Sequence, residues 1–218
     1  MKKIHWKQLI IRIVIYTMGL FIMAFGAALA VNSNLGISPV NSIPYALSLI
    51  LNRPLGTCAT MFFSVCIAVQ ILILRKQTNP IIILQMVFAT IYGYFLNYAK
   101  GVLGSWVLPG YIGRFTMQLA GIVMVAFGIF LLVEMRLTPM PTEGLCITLA
   151  DETGVPFPKM KVMQDVAMVC ISALLSALSL HGIYGIREGT VLNALITGRI
   201  IAVFKKYLSP GIQKRLYD

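Results

Sequence analysis

Six apolar runs, residues 13–31, 57–74, 80–99, 115–133, 162–180 and 189–204, limit what this chain can become. Each is near the length that one helical crossing of a bilayer needs, about 20 residues. Hydrophobic residues make up 58% of the 218 and charged residues only 11%. One soluble core of this size cannot hide that much apolar surface, so the excess faces lipid. The alternating ten-residue strands of an outer-membrane barrel are absent from the sequence. The first run lacks a small-residue cleavage site and further runs follow, so it reads as a span and not as a signal peptide. The expectation is an all-α polytopic membrane protein, with residues 1–218 as a single membrane domain.

Charge separates a membrane reading from a nucleic-acid one. The net charge is +11, but Lys and Arg gather at the two ends, in "MKKIHWKQLIIR" and "KKYLSPGIQKRLYD", directly beside apolar runs. That is the positive-inside pattern, with attraction to anionic headgroups added. It predicts a multi-pass protein of the bacterial inner membrane with both termini cytoplasmic, residues 205–218 forming a basic tail. The lipid bilayer is the expected partner, and nucleic acid is not. Cys58, Cys66, Cys146 and Cys170 lie within apolar stretches without CxxC spacing or a His cluster, so they read as small apolar fillers.

The chain also matches itself. Shifted by 102 residues, Ala24-Phe25-Gly26 falls on Ala126-Phe127-Gly128, Pro39 on Pro141 and Pro54 on Pro156. After a further three-residue shift, "ATIYG" (89–93) falls on "ALITG" (194–198). Apolar matches come cheaply in membrane sequences, but two prolines in register around the same short segment do not. The halves are 13–99 and 115–204. Each reads as a long span, a polar Pro-containing turn, a short apolar helix, a second turn and two more spans.

The short helices cover 41–52 and 142–152. Helices of that length reach roughly 17 Å, little more than half the hydrocarbon thickness. Irregular backbone at that depth survives only inside protein or against water. If the short helices are re-entrant, there are six spans and the halves are inverted repeats. If they cross, there are eight spans and the repeats run parallel. The positive-inside rule ties: Arg75, Lys76 and Arg136 stand against Arg53, Lys100 and Arg114, and the other cations fall on the same sides in both cases. Helix length favours six spans with two Pro-broken re-entrant helices.

The segments "FGAALAVNSNLGISPVNSIPYALS" and "GTVLNALITG" resemble the YitT/YczE/YyaS-like family of bacterial integral membrane proteins. The resemblance spans most of the chain and implies a fold type and a membrane address more than a substrate. The family's first motif often reads L-G-x-x-P-x-D; here Asn41 stands in the acidic place. Glu143, at the equivalent repeat position, supplies the carboxylate in the second half.

Broken helices that meet near the bilayer midplane hold solutes or ions in many transporters. Ser38, Asn41, Thr142 and Glu143 are therefore the expected substrate-binding residues, at helix starts that suit an anion or a polar solute. The same residue types are also ordinary N-caps. Asp165 and Arg199 lie inside spans, where charge is costly and points to function; they could instead pair with each other, or Arg199 with Glu143. Gln85 and Asn97 share a helical face and read as interhelical hydrogen-bonding groups, and Gly19, Gly26, Gly121 and Gly128 as packing seams. Glu134, Arg136, Arg187 and Glu188 read as interface charges, and Trp6 and Trp106 as interfacial anchors.

There is no HExxH, GxSxG or P-loop, and His5 and His181 lie at span ends, so neither an enzyme nor a cofactor is expected. The leading expectation is a small-solute permease for a polar or anionic solute. The alternatives are an energy-less binding subunit working with a partner membrane subunit, and a membrane scaffold or regulator. The permease would work as a monomer or homodimer.

Overall fold

The computed structural model describes residues 6–75 and 81–216. His5, Lys76 and Pro80 lie outside the described residues, as do positions 217–218 of the basic tail. The described chain is all helix: α1 (Trp6–Ser33), α2 (Pro39–Leu51), α3 (Leu55–Leu74), α4 (Ile81–Leu103), α5 (Gly110–Met135), α6 (Pro141–Thr153), α7 (Phe157–Leu180) and α8 (Glu188–Leu216). No strand occurs among these residues. Five of the helices, α1, α3, α4, α5 and α7, are long and apolar enough to cross a membrane. α8 is long enough at 29 residues but carries Arg199, Lys205 and Lys206. The short helices fall where Pro39 and Pro141 place them, each proline at a helix start, where its missing N–H costs nothing.

α1 and α5 form the central pair and run antiparallel. Gly19 faces Gly128, and Gly26 faces Gly121. A Cβ on Gly26 would stand 2.7 Å from the Gly121 carbonyl oxygen, and one on Gly128 would stand 2.7 Å from that of Gly19. Close approach of this kind replaces the hydrophobic effect as the cohesive force between helices in lipid. One end of the pair is tied by Arg12, whose Nε donates to the Met135 carbonyl at 2.8 Å, and by Tyr16 Oη donating to Thr138 O at 3.0 Å. The other end is tied by Ser33 Oγ donating to Gln118 Oε1 at 2.7 Å, with both side chains buried.

Around this pair, α4 packs on α1 and α8 on α5. Aromatic contacts fill both seams: Tyr16 with Phe88 at 4.2 Å between centroids, and Phe127 with Phe204 at 5.2 Å. α2 lies against α3 and α7, and α6 against α7 and α3. α3 and α4 join through Gly56 and Gly93, with Asn97 Oδ1 accepting from Gly56 N–H at 2.7 Å and Asn97 Nδ2 donating to Thr57. Asn97 thus makes the interhelical bonds expected of it. Gln85 instead packs against Gly144 of α6.

The outer surface carries large apolar side chains along several helices, among them Ile10, Val14, Leu72, Ile83, Val166 and Leu174. Such a surface is stable only in a bilayer, so this is a multi-pass membrane protein in contact with lipid. Cys58, Cys66 and Cys146 are buried, Cys170 is exposed, and all four are free thiols. Trp6 and Trp106 are exposed, as anchors at span ends should be. Glu134 departs from its expected place at the interface. It is buried, and it accepts from Gln213 Nε2 at 3.3 Å, because the last turn of α5 is covered by the far end of α8.

Candidate functional site: a cavity between two short helices

Both short helices start at the edge of one cavity of about 720 Å³. Ser38 occupies the N-cap of α2 and Met140 that of α6, yet neither helix start receives a side-chain capping bond. The capping role open to Ser38, Asn41, Thr142 and Glu143 is therefore not the one they take. Ser38 Oγ instead accepts from Asn41 Nδ2 at 3.2 Å, and Asn41 also meets the Tyr92 hydroxyl of α4. Thr142 Oγ1 donates to the adjacent Glu143 carboxylate at 3.1 Å.

Each short helix is held by buried polar side chains of the long ones. Gln70 of α3 and Gln164 of α7 donate to the Pro141 and Thr142 carbonyls, both at 3.0 Å, and so grip the first turn of α6. Ser172 of α7 donates to Ser42 O at 2.9 Å, while Ser42 Oγ donates to Pro39 O at 2.7 Å. Pro44 removes one further internal bond from α2, that to the Val40 carbonyl. These bonds fix helices too short to be stable alone.

Five of the six expected binding residues, Ser38, Asn41, Thr142, Glu143 and Asp165, line this one cavity. Arg199 does not. The cavity face of α8 is Asn193, Ala194, Thr197, Gly198 and Ile201, a helical stripe that leaves Arg199 rotated outward and exposed. Asp165 has Lys161, four residues earlier on α7, as its ion-pair partner at 2.9 Å. Lys161 Nζ also stands 4.0 Å from Glu143 Oε1, so one ammonium serves two carboxylates. The i,i+4 spacing of Lys161 and Asp165 was the signal for this pair, masked by the position of Lys161 near a span end. Asn193 and Tyr92 also line the cavity and were not singled out by the sequence. At the mouth stand exposed Arg136 and Phe157.

Residues of all eight helices line the cavity, α7 contributing Phe157, Lys161 and Asp165 and α8 its stripe from Asn193 to Ile201. Gly198 has nothing within 4 Å of where its Cβ would be. Gly93, which the "ATIYG"/"ALITG" match aligns with it, is in tight contact with Gly56 and Thr60 of α3. The α3–α4 seam is closed where the space between α7 and α8 is open.

On the face away from Arg12 and Arg136, the chain is latched. Gly189 N–H donates to Leu35 O at 2.7 Å and Ile37 N–H to Gly185 O at 2.9 Å. Arg187 Nη1 donates to Asn34 O at 3.0 Å. Gly36 permits this clasp: its φ is +129°, and a Cβ there would stand 2.6 Å from Thr190 N. A second, smaller hollow on this face holds Arg53 and Lys100, with Lys100 donating to Asn32 Oδ1.

A model of a family of unknown function, DUF6198, matches residues 10–206. The chain belongs to that family. It is similar to the uncharacterized membrane protein YczE of Bacillus subtilis (strain 168), 24% identical over 89% of this chain and 86% of the relative. It is also similar to the uncharacterized protein YyaS of the same organism, 22% identical over 87% of this chain and 90% of the relative. These relatives agree with the YczE/YyaS-like resemblance carried by the first-half motif and "GTVLNALITG". No solved structure matches the chain.

Proposed function

We propose that this DUF6198 protein is a small-solute transporter. It would bind a polar solute at the starts of α2 and α6 and expose that site alternately to the two sides of the membrane. In this reading, α1, α3, α4, α5, α7 and α8 cross the bilayer, α2 and α6 are re-entrant, and both termini are cytoplasmic by the positive-inside rule. The halves are then inverted repeats. The antiparallel run of α1 and α5 supports this, because the two helices are sequence equivalents. The paired packing of α4 on α1 with α8 on α5, and of α2 and α6 on exchanged partners, supports it too.

The observation that carries the proposal is the difference between Gly93 and Gly198. Gly93, which the proposed repeat register pairs with Gly198, is packed, and Gly198 is open. Exchanging those two states would close α7 on α8 and open α3 from α4, carrying the site from one face to the other. Glu143, Asp165 and Lys161 supply the charge for binding.

The test uses purified protein with Ser38→Cys in a Cys-free background, reconstituted in liposomes. A membrane-impermeant maleimide is expected to label Cys at position 38 from either side, each access suppressing the other. Labelling from one side only would contradict transport. Glu143→Gln and Asp165→Asn are expected to abolish turnover while leaving two-sided labelling in place.

A further inference from the structure

The hollow on the face away from Arg12 has a volume of about 450 Å³ and lies among the ends of α1, α2 and α4. Arg53 and Lys100 line it, and none of the other lining residues is acidic. Arg53 is placed by the end of α2. Asn52 takes the left-handed conformation there, and Arg53 N–H returns to Ser48 O at 3.1 Å. Pro54 follows and fixes the chain before α3 begins. The exposed Arg53 guanidinium makes no hydrogen bond or ion pair among the described residues. Lys100 is fixed at its tip, where the ammonium donates to Asn32 Oδ1. Asn32 Nδ2 donates to Gly104 O at 3.2 Å and to Trp106 O at 3.0 Å. Two carbonyl acceptors settle which end of that amide is the nitrogen, and leave its oxygen for the ammonium.

Asn32 thus orients Lys100 without neutralising it. Glu188 is the carboxylate that the clasp brings to this face, and it is ion-paired with Arg187 at 3.2 Å. Two positive charges therefore stand at one hollow with no negative partner among the described residues. Their depth is marked by aromatic side chains. Tyr98 on α4, Trp106 in the turn after it and Tyr111 at the start of α5 are all exposed, as side chains at the headgroup level are. Leu49 of α2 lines the same hollow and is itself part of the exposed apolar surface.

From these two unneutralised cations and the aromatic and apolar groups around them, we propose that the hollow binds the phosphate of an anionic phospholipid headgroup. Arg53 and Lys100 both donate to the phosphate oxygens, the guanidinium as a fork and the ammonium as a point charge. The acyl chains leave across Leu49 into the bilayer. A zwitterionic headgroup would bring a cation of its own against two others, so the site selects anionic lipid. Nothing in this site depends on the transport reading.

The experiment follows Trp106 fluorescence in the full chain carrying Trp6→Phe, reconstituted in mixtures of phosphatidylcholine and phosphatidylglycerol. In one series the phosphatidylglycerol is brominated near the top of its acyl chains, and in the other the phosphatidylcholine is. Bromine quenches tryptophan only at short range, so the two series compare which lipid sits beside Trp106. Phosphatidylglycerol is expected to bind there at least about fivefold more strongly, the weight of one cation at an anionic headgroup. Arg53→Gln should lower the preference, and Arg53→Gln with Lys100→Gln should abolish it. Lys205→Gln with Lys206→Gln, exposed cations toward the far end of α8, should leave it unchanged. Inorganic phosphate in millimolar excess should also leave it unchanged.

Equal quenching by the two lipids, or a preference that survives loss of both cations in monodisperse protein, would overturn the inference. If the double variant does not elute as a single species, Arg53→Gln alone decides, because that side chain holds nothing else in place. A preference lost with Lys205 and Lys206 would trace it to the basic tail and refute this site. A preference erased by inorganic phosphate would mean that the hollow takes the free anion and not a lipid headgroup.

Discussion

Gly93 and Gly56 stand backbone to backbone: a Cβ on Gly93 would lie 2.6 Å from the Gly56 carbonyl oxygen, with Thr60 Oγ1 closer still. Gly93→Val is therefore expected to wedge α3 from α4 and lower stability by about 1–3 kcal/mol, the usual cost of overpacking. Gly198→Val, at a position with nothing within 4 Å, should melt like the parent protein. It should still lose turnover, because the gap it fills is the one α7 must close. Thermal melting followed by size-exclusion chromatography, with liposome uptake alongside, checks both.

Gln70 and Gln164 hold α6 by its first two carbonyls. Replacing Gln70 by Leu leaves the Pro141 carbonyl without that donor in a dry setting, at a cost of about 1–3 kcal/mol. The loss should appear locally. Amide exchange in α6 is expected to rise while α1 and α5 stay protected, and uniform exchange across the bundle would show that Gln70 supports the whole fold instead.

In the proposed transport cycle, the clasp between 34–37 and 185–190 would be the barrier on its face of the cavity. Thr190 is 3% exposed, and its hydroxyl serves as acceptor for Ile37 N–H and donates to Gly185 O at 3.3 Å. Arg187→Ala with Thr190→Val should loosen the clasp and raise the rate of maleimide labelling at position 38 from that side several-fold, an opening free-energy change of about 1 kcal/mol or more. An unchanged rate would place the barrier elsewhere.

The re-entrant arrangement predicts which loop cations share a side. In intact cells, Cys at positions 53 and 100 should label from outside, and Cys at 76 and 136 should not. The reverse pattern would require eight spans. The contact of Lys100 with Asn32, near the α1–α2 turn, fits the first outcome, because both then lie on the face away from Arg12.

Much of the candidate site's position was legible because prolines mark helix starts. The segments 41–52 and 142–152 read from the sequence became Pro39–Leu51 and Pro141–Thr153, and Ser38, Asn41, Thr142, Glu143 and Asp165 reached one cavity. Orientation around a helix was harder to read. α8 has charge at both ends and weak amphipathicity, so nothing in its pattern said that Asn193 faces inward and Arg199 outward. Lys161 was hidden for a different reason: lysines near span ends are usually headgroup contacts, and only the fold brings Glu143 to it. Glu134 likewise looked interfacial until the end of α8 covered it.

The exchange of open and closed seams between the two halves is tested most directly by cross-linking Val162→Cys to Gly198→Cys in a Cys-free background. The repeat register makes these two positions the counterparts of Thr60 and Gly93, which are in contact in the closed seam. In the state described here Gly198 has nothing within 4 Å, so the pair is apart. If α7 closes on α8 during transport, mild oxidation should join them, since a disulfide forms only when the Cα atoms come within about 7 Å. The joined protein should then label at position 38 only from the face bearing Arg53 and Lys100. Two thiols that each react with maleimide yet never cross-link would contradict the exchange.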